Sequence, residues 1–170
     1  MKRILMIAMI IALPVAYIYA ADANTDQKKV EEPKKAEKEK SKGEYIADLN
    51  TGNSEDKILA AEEWVGQKQE VGAIDNLFIL LKDDKRDRVR MNAAVALGLI
   101  GKKDASDKIA EIVINEISAD VRYAEVLAIS RLGFSSKKTY DNLMAARDKE
   151  TDPFILDFIK KMEDKFSKSK

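Results

Sequence analysis

The 170-residue sequence contains no cysteine and no histidine. Those two absences exclude disulfide frameworks, thiol nucleophiles, Ser-His-Asp triads, zinc fingers and the usual ligand sets of haem and iron–sulfur centres. There is one tryptophan and there are three prolines. Neither sign of charge is in excess, with 30 Lys and Arg against 30 Asp and Glu. A chain that neutralises a phosphate backbone needs surplus cations, so nucleic acid is not an expected partner. The length fits one modest domain with tails.

What is present begins with an address. Lys2 and Arg3 precede an apolar run from Ile4 to Leu13. Pro14 and the small residues Ala20-Ala21-Asp22-Ala23 follow, completing the three-part layout of a secretory signal. Residues 1–20 are the expected signal peptide, with cleavage after Ala20 or Ala23. The alternative is an uncleaved anchor, since Ile4 to Ala20 is at the lower limit for spanning a bilayer. Removing residues 1–20 takes away two cations and leaves 28 against 30, still near neutrality. The bacterial periplasm or the medium is the expected location, with no membrane insertion after cleavage. Residues 21–43 are dense in Lys and Glu and poor in apolar side chains, so they read as a disordered tether. The domain is expected over 44–168.

Self-similarity organises that domain. Asp87-Arg88-Val89-Arg90-Met91-Asn92-Ala93-Ala94-Val95-Ala96-Leu97-Gly98-Leu99-Ile100-Gly101 is echoed by Asp120-Val121-Arg122-Tyr123-Ala124-Glu125-Val126-Leu127-Ala128-Ile129-Ser130-Arg131-Leu132-Gly133. An offset of 32 pairs Val89 with Val121, Arg90 with Arg122, Ala96 with Ala128 and Gly101 with Gly133. Asp75-Asn76-Leu77 repeats as Asp107-Lys108-Ile109 and again, two residues late, as Asp141-Asn142-Leu143.

Apolar spacing and capping residues predict eight helices: 44–50, 54–66, 71–82, 87–100, 105–115, 119–132, 137–147 and 152–165. They form about four antiparallel pairs, each burying its apolar stripe on its neighbours. Gly98 or Gly101, and Gly133, are expected stops; Asn53 or Ser54, Asp104 and Asp152 are expected caps. The last helix closes the stack, with Phe154, Ile155, Phe158, Ile159, Met162 and Phe166 on its apolar face and charges opposite.

Val89-Arg90, Ala93-Ala94, Ala96-Leu97-Gly98 and Ile100-Gly101, followed by a Leu/Ile-rich helix, resemble HEAT repeats of the short type also found in phycobilin lyases. The resemblance covers about 44–166 and implies an all-α, right-handed α-α superhelix. It also implies a ladder between units in which an acid stands six places before an Arg, here Asp84 before Arg90 and Glu116 before Arg122. Those arginines are therefore expected to be structural. The tetratricopeptide pattern fits less well, since the period is 32 rather than 34.

If Val89, Ala93, Ala96, Leu97 and Ile100 face the core, then Met91, Val95 and Leu99 form a second apolar face. Their counterparts are Tyr123, Leu127 and Arg131, which gives a stripe along one wall of the solenoid. Aromatic, Met and Arg side chains concentrate where partners dock, so these six are the candidate partner-binding residues. The favoured account of them is further core, since second helices inside a solenoid touch neighbours on both flanks. Trp64 reads as core at the N-terminal end. The paired acids Asp83-Asp84 and Asp104/Asp107 lie between helices, where turns and caps account for them. Neither a calcium loop nor a phosphate loop is present. No catalytic residue, metal ligand or cofactor is expected. The expected function is an exported, monomeric, non-enzymatic scaffold for a protein or peptide. An enzyme or chaperone akin to the bilin lyases, or an envelope spacer, are the alternatives.

Overall fold

The computed structural model describes residues 40–167. The expected signal peptide and nearly all of the expected tether lie outside the described residues. Among those residues every regular element is helical: α1 Lys42–Asp48, α2 Glu55–Gln67, α3 Ile74–Asp83, α4 Asp87–Ile100, α5 Ala105–Val113, α6 Ala119–Leu132, α7 Lys137–Arg147 and α8 Pro153–Ser167, with a 3-10 turn at Val71–Ala73 before α3.

Local chemistry sets most boundaries. At α1 the Ser41 hydroxyl accepts the Glu44 amide while Glu44 accepts the Ser41 amide, a reciprocal cap that starts the helix two residues before the predicted Glu44. α3 starts later than predicted because the Glu70 carboxylate accepts the Gly72 amide and tightens Val71–Ala73 into a 3-10 turn. Asp152 accepts the amides of Phe154 and Ile155 and caps α8 as expected. Asp104 and Ser54 occupy capping positions without a side-chain bond. Gly101 and Gly133 end α4 and α6 with positive φ, whereas Gly98 lies inside α4 and stops nothing.

The helices form two layers. α2, α4 and α6 pack side by side, joined more lightly by α8, while α3, α5 and α7 lie behind their partners α4, α6 and α8. Val89, Ala93, Ala96, Leu97 and Ile100 are all buried, as are Val121, Ala128 and Ile129 in the next unit. Trp64 is half-buried and stacks on Tyr45 with ring centroids 4.5 Å apart, closing the N-terminal end. In α8, Ile155 and Ile159 are buried, but Phe154, assigned to the apolar face by the helical period, is 80% exposed. It sits in the first turn of α8, on a hollow that it shares with Ala119, Asp120 and Tyr123 of α6.

A ladder of arginines ties the units together. Arg90 donates from Nε and Nη2 to the two oxygens of Glu116 at 2.9 and 3.0 Å, and from Nη1 to the Asp84 carbonyl at 2.9 Å. One unit on, Arg122 holds Glu150 in the same fork at 2.7 and 2.9 Å. The acid six places before each arginine thus offers its backbone carbonyl to that arginine, and Glu116 gives its carboxylate to the arginine of the unit before. Asp84, Glu116 and Glu150 each also accept the amide two residues later. The first unit has no arginine at this position. Arg86 fills the gap by gripping Asp84 at 2.9 and 2.7 Å and reaching back to the carbonyls of Thr51 and Asn53. Fork geometry of this kind offsets the desolvation of buried charge.

Candidate functional site

The wall of α2, α4 and α6 is shaped by small residues. A Cβ built on Gly98 would stand 3.2 Å from both Cα and Cβ of Ala128. On Gly66, 32 positions earlier, it would stand 3.2 Å from the Cα of Ala96. Glycine fits this approach without the neighbour having to give way, so the seams between second helices are narrow and shallow-floored. The larger side chains beside each seam stand out from it.

Val95, Tyr123 and Leu127 are 39%, 46% and 43% exposed, which removes them from the core; Met91 and Leu99 are half-buried and Arg131 is exposed. The structure brings the six into two neighbouring hollows. Val95, Leu99, Leu127 and Arg131 line a groove of about 230 Å³ over Gly98 and Ala128. Met91 and Tyr123 line a second hollow of about 340 Å³ with Phe154 and Ile155. Tyr123 also lies 6.0 Å from the ring of Phe158. Val95 and Leu99 border a third hollow toward Leu59 of α2. Phe154 and Leu59 therefore join a surface that sequence reasoning gave only to α4 and α6. The offset of 32 already aligns Leu59 with Met91, and that was the available signal.

Two buried glutamates back this layer. Glu62 of α2 and Glu125 of α6 are 1% and 0% exposed, and neither carboxyl has a hydrogen-bond partner among the described residues. Burial pushes each up to about 9, with Asp84 adding to the effect on Glu62 and Glu116 to that on Glu125. Both are therefore neutral acids at pH 7. The opposite applies to the ladder carboxylates, where Arg122 and Arg86 hold Glu150 and Asp84 below their ordinary values.

One acid of each pair in the sequence turns out to be a joint. Asp84 belongs to the ladder, and Asp107 accepts the hydroxyls of Thr139 and Ser136, tying α5 to α7. Ser106 and Ser135 extend the same seam, and Lys138 pairs with Glu111 across it. Between α3 and α5 no such hydrogen bond or ion pair forms among the described residues; Lys108 lies over the Phe78 ring, 5.0 Å from its centroid, and a cleft of about 710 Å³ opens over Phe78, Ile79 and Ile112. Sequence reasoning missed this cleft, although Ile79 aligns with the charged Glu111 at offset 32.

Among the described residues no group of three or more acidic, Cys or His side chains is placed to hold a metal ion. No helix among them is long and apolar enough to cross a membrane. No curated protein and no solved structure matches the chain. The family model described as HEAT repeats matches residues 47–130, from the end of α1 to the last turn of α6. The match falls on the two-helix units that the arginine ladder joins, and over residues 47–130 the chain belongs to the HEAT-repeat family.

Proposed function

We propose that the protein is an exported, non-enzymatic scaffold whose α4–α6 wall docks a protein or peptide partner. The observation that carries this reading is the exposed row Val95, Tyr123 and Leu127 on a rigid, close-packed helical layer. Side chains of that size give about 1–2 kcal/mol each when an interface covers them, and tyrosine, here Tyr123, is among the residue types that most often anchor such interfaces. The signal-like N-terminus supports a periplasmic or secreted location, with the protein a monomer in its free state. The finer architecture in this reading is four helix pairs wound as a right-handed superhelix, following the HEAT-repeat match.

The test replaces Val95, Tyr123 and Leu127 together with serine and compares crosslinked partners recovered from the native host envelope. The expected result is an unchanged helical spectrum and loss of one crosslinked band that the parent protein gives. A variant that keeps every crosslink removes the wall from the function.

A further inference from the structure

Six arginines lie among the described residues, and five reach a carboxylate. Arg86 holds Asp84, Arg88 holds Glu55, Arg90 holds Glu116, Arg122 holds Glu150 and Arg147 holds Glu163. Arg131 pairs with no carboxylate among the described residues. It is exposed in the last turn of α6, and its Cδ passes 3.8 Å from where a Cβ on Gly98 would stand. Its stem therefore lies along the floor of the 230 Å³ groove, with the guanidinium at the rim. The other walls of that groove are apolar, apart from Ser130.

Resting on the docking wall proposed above, we infer that the groove takes a peptide segment of a protein partner whose apolar side chains cover Val95, Leu99 and Leu127 and whose Asp or Glu side chain sits on Arg131. The charge complement follows from the guanidinium, which presents a planar fork matched to a carboxylate. Beside apolar walls that shed water, such a contact is stronger than on an open surface. The carboxylate comes from a side chain rather than a chain end. Capture of a terminal carboxylate uses clustered free backbone N–H groups, and the last turn of a helix presents carbonyls instead. The apolar surface also continues past the groove on both flanks, to Leu59 and to Phe154, so the bound segment runs on.

The test is selection of a random 12-residue peptide library, displayed with its C-termini fused and so without a free terminal carboxylate, on the purified protein. Enriched peptides are expected to combine two or more apolar residues with an Asp or Glu. A synthetic enriched peptide should bind at least about tenfold more weakly to Arg131→Gln, and equally so when its own acid becomes the amide. Selection on Arg131→Glu should enrich Lys or Arg in place of the acid. Circular dichroism of these exposed-site variants checks that the fold is intact. Enriched peptides without an acid, or with equal affinity for Arg131→Gln, overturn the inference; if they still lose affinity to Leu127→Ser, the docking wall itself stands. Peptides indifferent to both Leu127→Ser and Arg131→Gln overturn the inference and the wall together, and absence of any enrichment overturns the inference.

Discussion

Replacing Glu62 or Glu125 with glutamine exchanges an OH for an NH₂ on a buried group, yet it removes a proton equilibrium that couples folding to pH. In the folded protein each carboxyl titrates at about 9, and in the unfolded chain at the ordinary 4.5. Between those values the unfolded state gives up a proton that the folded state keeps. Each glutamate then lowers stability by about 1.4 kcal/mol per pH unit as pH rises. At pH 7 the burden is about 3 kcal/mol per residue, a large share of the 5–15 kcal/mol typical of a whole domain. Below 4.5 both states are protonated and the burden vanishes. Asp84 and Glu150 act in the other sense, because arginines hold them below their ordinary values, and the stability they add is lost in acid. The stability optimum is therefore expected near pH 4.5–5. Urea unfolding followed by circular dichroism from pH 4 to 9 measures it. The parent midpoint should fall steadily above pH 5, and each glutamine variant should flatten that fall by about half while raising stability at pH 7. A parent midpoint that is level or rising from pH 5 to 8, or a double variant with the parent slope, refutes the reasoning.

Glu116→Ala leaves the Arg90 guanidinium buried without its fork and should cost about 3–5 kcal/mol in urea unfolding, whereas Arg88→Ala, an exposed pair with Glu55, should change stability by no more than about 1 kcal/mol. Gly98→Val forces a branched side chain into a 3.2 Å approach to Ala128 and should cost about 1–3 kcal/mol by overpacking, measured as a lower thermal midpoint. Asp107→Ala strips the hydroxyls of Thr139 and Ser136 of their acceptor; amide exchange should quicken in α7 while α2 is unaffected.

The helices that carry the wall were legible because their ends are written in residue types. Asp87 and Gly101 bracket α4, Gly133 ends α6, and the observed spans of α4, α6 and α7 coincide with the predicted ones. The start of α1 was hidden because Ser41 and Glu44 sit at the end of a charge-rich stretch whose composition reads as tether. The second face of α4 and α6 was visible as a pattern, but helical period alone does not separate an open face from one that a neighbouring helix covers. Only the packing shows Val95 and Leu127 to be open and Met91 half-covered. Glu62 and Glu125 carried no sequence signal at all, since a glutamate in a helix is ordinarily a solvated one.

The lightly held seam between α3 and α5, spanned by Lys108 over the Phe78 ring, gives the array a mechanical character. There the back layer is a gap, while the front layer at the same level is α4 locked on α6 through Gly98 and Ala128. Any bending at this level would open or shut the gap like a bellows and leave the close α4–α6 approach in place, as the spine of a book stays put while its pages fan. Whatever rests against Val95 and Leu127 therefore lies on the pivot and is carried through the flexure undisturbed.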